Sequence, residues 1–276
     1  MRARLVCVLG LVLSVGWSAA SEADTALSGK LTLFVPGREQ GVFEKAGVKF
    51  EKQWPRVRVR FAETAGVEPL AALADGSADI ALLGRTLSPE EKDFTGTIVG
   101  WEGIALMVNA SNRVMDVNLQ QVKDLFSGKA KTWDELGGLE SKIAVLHREE
   151  GKGVRPYLEQ QLDMAGKLVN GKRVVEPDKE AVRVVSGSIN AVSYINLSTG
   201  LSNVTVGVPV RLLSINKVEP EASNVSTGSY PLRRPIVMAT KGEPSPLAKA
   251  FIDSMVGKEG QKTIQEDDFV PLLVTK

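Results

Sequence analysis

Ile143-Ala-Val-Leu-His-Arg-Glu-Glu-Gly-Lys-Gly-Val154 joins two kinds of local structure within twelve residues. Residues 143–146 are a short apolar run of strand type. A charged turn with two glycines follows, and Arg155-Pro-Tyr-Leu-Glu-Gln-Gln-Leu162 has helical character. A strand that feeds a helix through such a turn leaves the first N–H groups of the helix unpaired. Those donors, together with the positive end of the helix dipole, form a seat for an anion. Arg148 adds a two-pronged donor that matches an oxyanion. The same residues also fit an ordinary strand-to-helix turn with a solvated arginine, so the rest of the chain has to decide.

Upstream, Leu31-Thr-Leu-Phe-Val35 reads as a first strand that ends in the loop Pro36-Gly-Arg-Glu-Gln-Gly41, with a helix over residues 43–53. Val57-Arg-Val-Arg-Phe61 alternates apolar and basic residues, as a strand with one wet face does. Thr64 is expected to cap a helix from Pro69 to Ala74, and Asp79-Ile-Ala-Leu-Leu83 reads as a buried strand. Strand, helix, strand, helix, strand over about sixty residues predicts an α/β lobe with a mainly parallel sheet. Trp101-Glu-Gly-Ile-Ala-Leu-Met-Val-Asn109 is the next strand. Asn118 caps a helix whose apolar stripe is Leu119, Val122, Leu125 and Phe126, and Gly128 ends it. Downstream, residues 182–196 hold two apolar runs around Ser186-Gly-Ser188. Pro231-Leu-Arg-Arg-Pro-Ile-Val-Met-Ala239 is a late strand, and helices follow over 247–256 and 260–264.

The N-terminus carries Arg2 and Arg4, an apolar run over residues 5–17 too short to span a bilayer, and small residues after it. This is the pattern of a secretory signal peptide, residues 1–23, with cleavage between residues 20 and 23. The single cysteine, Cys7, falls within that segment, so the mature chain is expected to hold no disulfide. With 34 basic and 33 acidic residues, the charge balance argues against nucleic-acid binding and against a polybasic membrane contact. No later apolar run is long enough for direct membrane insertion. No nucleophile elbow, phosphate-loop motif or metal-ligand spacing occurs, so neither an enzyme nor a cofactor is expected. His147, the only histidine, is read as structural, and Trp101 and Trp133 as core or hinge packing.

In order and spacing, Gly76-Ser-Ala-Asp-Ile80, Gly103-Ile-Ala-Leu-Met-Val-Asn109, residues 119–133, residues 143–154, Tyr230-Pro-Leu-Arg-Arg-Pro235 and residues 251–272 resemble the phosphate-type, PstS-like substrate-binding proteins of bacterial ABC transporters. The resemblance covers nearly the whole mature chain. It implies an α/β, two-lobed periplasmic-binding-protein fold (type II), with mixed, mainly parallel sheets and a hinge between the lobes. It further implies a monomer in the periplasm or outside the cell, with a small anion (phosphate by family default) held in the cleft, and an ABC permease or membrane sensor as partner. Lobe 1 would comprise residues 24–104 and 231–276, and lobe 2 residues 105–230.

The resemblance implies a site built from the 148–154 turn and from three lobe-1 loops. Arg148, Gly151 and Gly153 match the family's turn, whereas Lys152 and Val154 stand where it has Ser and Thr. The first-strand loop, normally rich in hydroxyls, has none here and offers Arg38. Thr64 stands for a hydroxyl in the second loop, and Arg85 follows the third strand. Three lost hydrogen bonds to a charged ligand, at roughly 1.5–3 kcal/mol each, would remove about three to six decades of affinity. Arg38, Arg85 and Lys152, beside Arg148, are the candidates to replace them. Glu39, Glu149 and Glu150 lie in the same loops, and if they neutralise those cations the alternative is a ligand-free fold used as a protein-interaction module.

Overall fold

The computed structural model describes residues 27–150, 154–168, 173–174 and 178–272. The signal segment and the Gly151, Lys152 and Gly153 positions lie outside the described residues. The first third of the chain runs β1 (Gly29–Phe34), α1 (Gln40–Gln53), β2 (Val57–Phe61), α2 (Pro69–Ala74), β3 (Ile80–Leu83) and β4 (Phe94–Asn109). The middle runs β5 (Asp116–Val117), α3 (Leu119–Phe126), β6 (Ala144–His147), α4 (Arg155–Gln161), β7 (Arg173–Val174), α5 (Asp178–Ser186) and β8 (Ala191–Asn196). After α6 (Leu197–Thr205), β9 (Val210–Leu212), β10 (Ser214–Ile215) and α7 (Ala222–Thr227), the chain closes with β11 (Arg233–Lys241), α8 (Pro246–Val256) and α9 (Lys258–Glu266).

The main sheet has the order β2-β1-β3-β11-β4-β8-β6-β7, with β9 also on β4. β1 pairs parallel with β2 and β3, and β6 pairs parallel with β7 and β8. The strands between these two parallel groups are antiparallel: β11 runs against β3 and β4, and β4 runs against β8 and β9. The sheet is therefore mixed, with the parallel pairing at its two ends. This is the two-lobed α/β architecture expected, with β4 and β11 as the crossing strands. β4 pairs with β11 up to Gly103 and with β8 from Ile104 onward, so one unbroken strand serves both halves.

Each half has its own apolar core. Leu31, Leu33, Phe43, Phe50, Ile80, Phe251 and Ile264 pack on one face of the β1–β3 half. Phe34, Leu73, Leu83 and Val237 pack on the other. A larger cluster around Leu106, Val122, Phe126, Trp133, Leu158, Tyr194 and Leu213 fills the second half. Burying a Leu or Phe side chain stabilises by roughly 1.5–3 kcal/mol, so these clusters fix the sheet on which the cleft loops stand.

Asn118 and Gln121 form a reciprocal capping box at the start of α3, and Gly128 takes a left-handed φ of +71° just beyond its end. Trp133 is buried, and its indole N–H donates to Asn190 O at 3.1 Å. Trp101 pairs across to Val270, with the Arg233 guanidinium 4.0 Å from its ring centroid. One expectation needs correction. Glu68, not Thr64, stands at the N-cap of α2, and no side chain caps it. Pro69 occupies the first helical turn, where its fixed φ and missing N–H suit it, and the turn at residues 64–67 separates Thr64 from the helix.

Candidate functional site

β11 opens with Arg233-Arg234 ahead of an apolar run, and only 2% of Arg234 is exposed. A guanidinium in such a place has to be paired, because an isolated buried charge costs far more than a strand of this length can offset. Two carboxylates meet it. Glu102, on the neighbouring crossing strand β4, accepts from Arg234 Nε at 2.5 Å and also contacts Nη2. Glu39, from the single-turn 3-10 helix between β1 and α1, accepts from Nη2 through its Oε1. The Asn196 side-chain amide, at the end of β8, donates to the second oxygen of Glu102 at 2.6 Å. Burial disfavours the Arg234 charge, and the charges of Glu102 and Glu39 more than restore it, so its pKa lies above the ordinary arginine value.

The guanidinium is buried behind residues that line a cleft between the two halves. Tyr157, on α4 of the second half, lies over it with Cζ 3.5 Å from the ring centroid, a cation–π contact. Gly84, just after β3, also lies against the guanidinium, and a Cβ there would collide with Arg234 Nη1 and touch Tyr157. Gly84 and Tyr157 both line a cleft of about 470 Å³ together with Pro36, Leu70, Arg85 and Gln160. The cleft thus takes residues from the β1 and β3 loops on one side and from α4 on the other. Such a position, beyond the C-terminal ends of parallel strands, is where open α/β sheets hold ligands.

The expected site residues fall into three groups. Arg85 lines this cleft, and it grips Glu91 with two hydrogen bonds of 2.7 and 2.6 Å. That pairing raises the Arg85 pKa and lowers that of Glu91 to about 2. Arg38 lies in the short turn between Pro36, at the cleft wall, and Glu39, at the guanidinium. Thr64 is half-buried in its own turn, where its carbonyl accepts from Val67 N–H.

Arg148 forms the second group with Val154. Its guanidinium is 1% exposed and is held by Asp178 at the start of α5, with Nη2 donating to Oδ1 at 2.7 Å. The Arg148 N–H donates to Tyr194 Oη, and the Arg148 carbonyl accepts from Arg155 Nη1 at 2.9 Å. Val154 is buried against the second core as the N-cap residue of α4 and supplies no side-chain cap. Arg155 is buried as well and pairs with Glu159 at 2.8 Å. His147 packs edge-on against Phe126 and Tyr194, and burial, helped by the nearby charge of Arg155, lowers its pKa to about 4. Gly151, Lys152 and Gly153, the third group, lie outside the described residues.

Glu102, Asn196, Tyr157 and Arg234 are not among the site residues that the sequence points to, whereas Glu39 is expected there as a carboxylate that neutralises a cation, and the cation it meets is Arg234. A signal was present. Glu102 sits inside an apolar strand run and Arg234 at the head of one, where a charge has to find a buried opposite charge.

The fold and this cleft define a class, the two-lobed binding proteins with a site between lobes joined by crossing strands. The chain matches the PBP superfamily domain over residues 20–259 and belongs to that family. Within it, the chain is a PstS-like substrate-binding protein, not an enzyme. It is 29% identical over 273 residues to the phosphate-binding protein PstS of Bacillus subtilis, covering 94% of this chain and 88% of the relative. It is 32% identical to PstS 2 of Streptococcus pneumoniae over 111 residues, covering 40% of this chain and 38% of that protein. Among solved structures, an ABC-type phosphate transport receptor from Vibrio cholerae superposes with a TM-score of 0.79 at 22% identity, over 88% of this chain and 99% of that chain. A putative phosphate ABC transporter substrate-binding protein with bound phosphate from Clostridium perfringens superposes with a TM-score of 0.66 at 26% identity, over 88% and 100%. No helix among the described residues is long and apolar enough to cross a membrane.

Proposed function

We propose that this chain is an exported solute-binding protein that holds a small oxyanion in its interlobe cleft and presents it to an ABC permease or a membrane sensor. The observation that carries the reading is the buried Arg234 guanidinium, packed against Gly84 of one half and Tyr157 of the other, both of which line a cleft of about 470 Å³. Arg85 adds a second cation at the cleft wall. The phosphate-binding names of the relatives, one of them matched over 94% of this chain, make phosphate the first ligand to test. The 148–154 turn and Arg38 are proposed to complete the site from the two sides. Residues 24–104 with 231–276, and residues 105–230, are proposed as the two lobes, and residues 1–23 as the export signal.

One observation favours a second reading. Arg85, Arg148, Arg155 and Arg234 all face carboxylates, as a ligand-free fold that binds other proteins would allow. Thermal unfolding with millimolar phosphate, arsenate and sulfate separates the two. At a hundredfold excess over the dissociation constant, a ligand of the native state stabilises by about 2.7 kcal/mol. That corresponds to a rise of roughly 5–11 °C for a chain of this size. No shift with any of the three anions would favour the second reading.

A further inference from the structure

We infer that Glu39 is a resident anion: its carboxylate occupies the seat on Arg234 that a solute oxyanion takes, and binding requires it to swing out. The inference rests on the proposed oxyanion function and specifies how that site is controlled.

The charge count comes first. Arg234 brings one positive charge to a buried cluster that contains two carboxylates, Glu39 and Glu102. With both in place the cluster is anionic and repels a further anion. With Glu39 withdrawn, Arg234 and Glu102 balance, and the guanidinium offers Nη2 to an incoming oxyanion. Exchange of the Glu39 carboxylate for an oxyanion leaves the cluster with one negative charge fewer than addition of that oxyanion would.

The two carboxylates are held very differently. Glu102 has both oxygens engaged, one on Arg234 and one on Asn196, and it stands on the crossing strand. Glu39 is 5% exposed and uses only Oε1, and its Oε2 is buried with no hydrogen-bond partner. A half-satisfied buried carboxylate gives up part of what it gains from the ion pair. Its backbone stands at a junction, the N-cap of α1. Glu39 closes a single 3-10 turn entered from Pro36 and Gly37, with Gly37 at φ +77°, where glycine turns at no steric cost. Pro36, at the entry of this turn, lines the cleft, and the inference requires the turn to carry the Glu39 carboxylate away from Arg234.

An internal competitor lowers the apparent affinity by the fraction of molecules in which the seat is free. A charge-assisted hydrogen bond of ordinary strength closes the seat in all but about one molecule in ten to one in a hundred. Glu39→Gln and Glu39→Ala are therefore expected to bind phosphate or sulfate about ten- to hundredfold more tightly than the wild type in calorimetric titration, with the alanine variant at least as tight. A second measurement does not depend on the natural ligand. Acetate at tens of millimolar should refill the seat in Glu39→Ala and raise its melting temperature, and should leave the wild type unmoved. Unchanged or weaker anion binding in both variants, with the wild type binding normally, would overturn the resident-anion inference and leave the solute-binding reading intact. Absence of anion binding in the wild type and both variants, without acetate rescue, would overturn both.

Discussion

Arg234→Met is the most informative single change to stability. It keeps much of the side-chain volume and removes the charge between Glu39 and Glu102, which are 5% and 1% exposed. Both carboxylates then lose their cation, and Glu39 loses the hydrogen bond that its Oε1 makes. Breaking a buried ion pair from one side costs roughly 3–5 kcal/mol, because the remaining charge is left uncompensated. For a chain of this size that is a fall in melting temperature of about 6–20 °C. The double mutant Arg234→Met/Glu102→Gln should recover part of the loss, because one of the two carboxylates left behind is then replaced by a neutral amide. The assay is urea unfolding of the wild type, both single mutants and the double mutant, with coupling taken from the cycle. A single-mutant loss below about 1 kcal/mol, or strict additivity in the cycle, would refute the claim that Arg234 is the buried centre of the crossing strands.

Other consequences concern neighbouring residues. His147 has its pKa lowered from 6.5 to about 4 by burial and by Arg155. The unfolded chain therefore takes up this proton first as pH falls. Native stability should decline from pH 6.5 downward and level off below pH 4, a total of about 3 kcal/mol, and His147→Phe should flatten that part of the curve. A wild-type curve with the same slope as the variant would contradict this. Gly84→Val would force a side chain onto the Arg234 guanidinium. Such overpacking costs roughly 1–3 kcal/mol, and anion binding should be lost with it. Asp178→Asn removes the charge that holds the buried Arg148. If Arg148 serves the ligand, this variant should bind anion more tightly while losing stability, and a loss of both would make the pair purely structural.

What the sequence disclosed about the fold was whatever rests on local chemistry. The alternation of Val57-Arg-Val-Arg-Phe61 matches β2 residue for residue, and Asn118 with Gly128 bounds α3. The first half of β4 escaped notice because its Thr-Gly-Thr opening lacks a strand-like apolar pattern, and its pairing with β11 is what makes it a strand. α6 escaped because Ser, Thr, Gly and Asn are weak helix formers, and packing of Leu197 and Gly200 stabilises it instead. The site was legible only in part, for the same reason. Arg148 was visible as a cation at a strand end, yet its partner Asp178 lies 30 residues onward. Glu39 and Arg234 lie 195 residues apart, and only the folded sheet brings them together.

The central claim, that an oxyanion enters the cleft at Arg234 in place of Glu39, is tested most directly by equilibrium dialysis of the purified protein against radiolabelled phosphate. The expected result is saturable binding of one phosphate per chain, displaced by unlabelled phosphate, shifted to lower concentration in Glu39→Ala and lost in Gly84→Val. Phosphate retained at millimolar concentration by neither the wild type nor Glu39→Ala would contradict it.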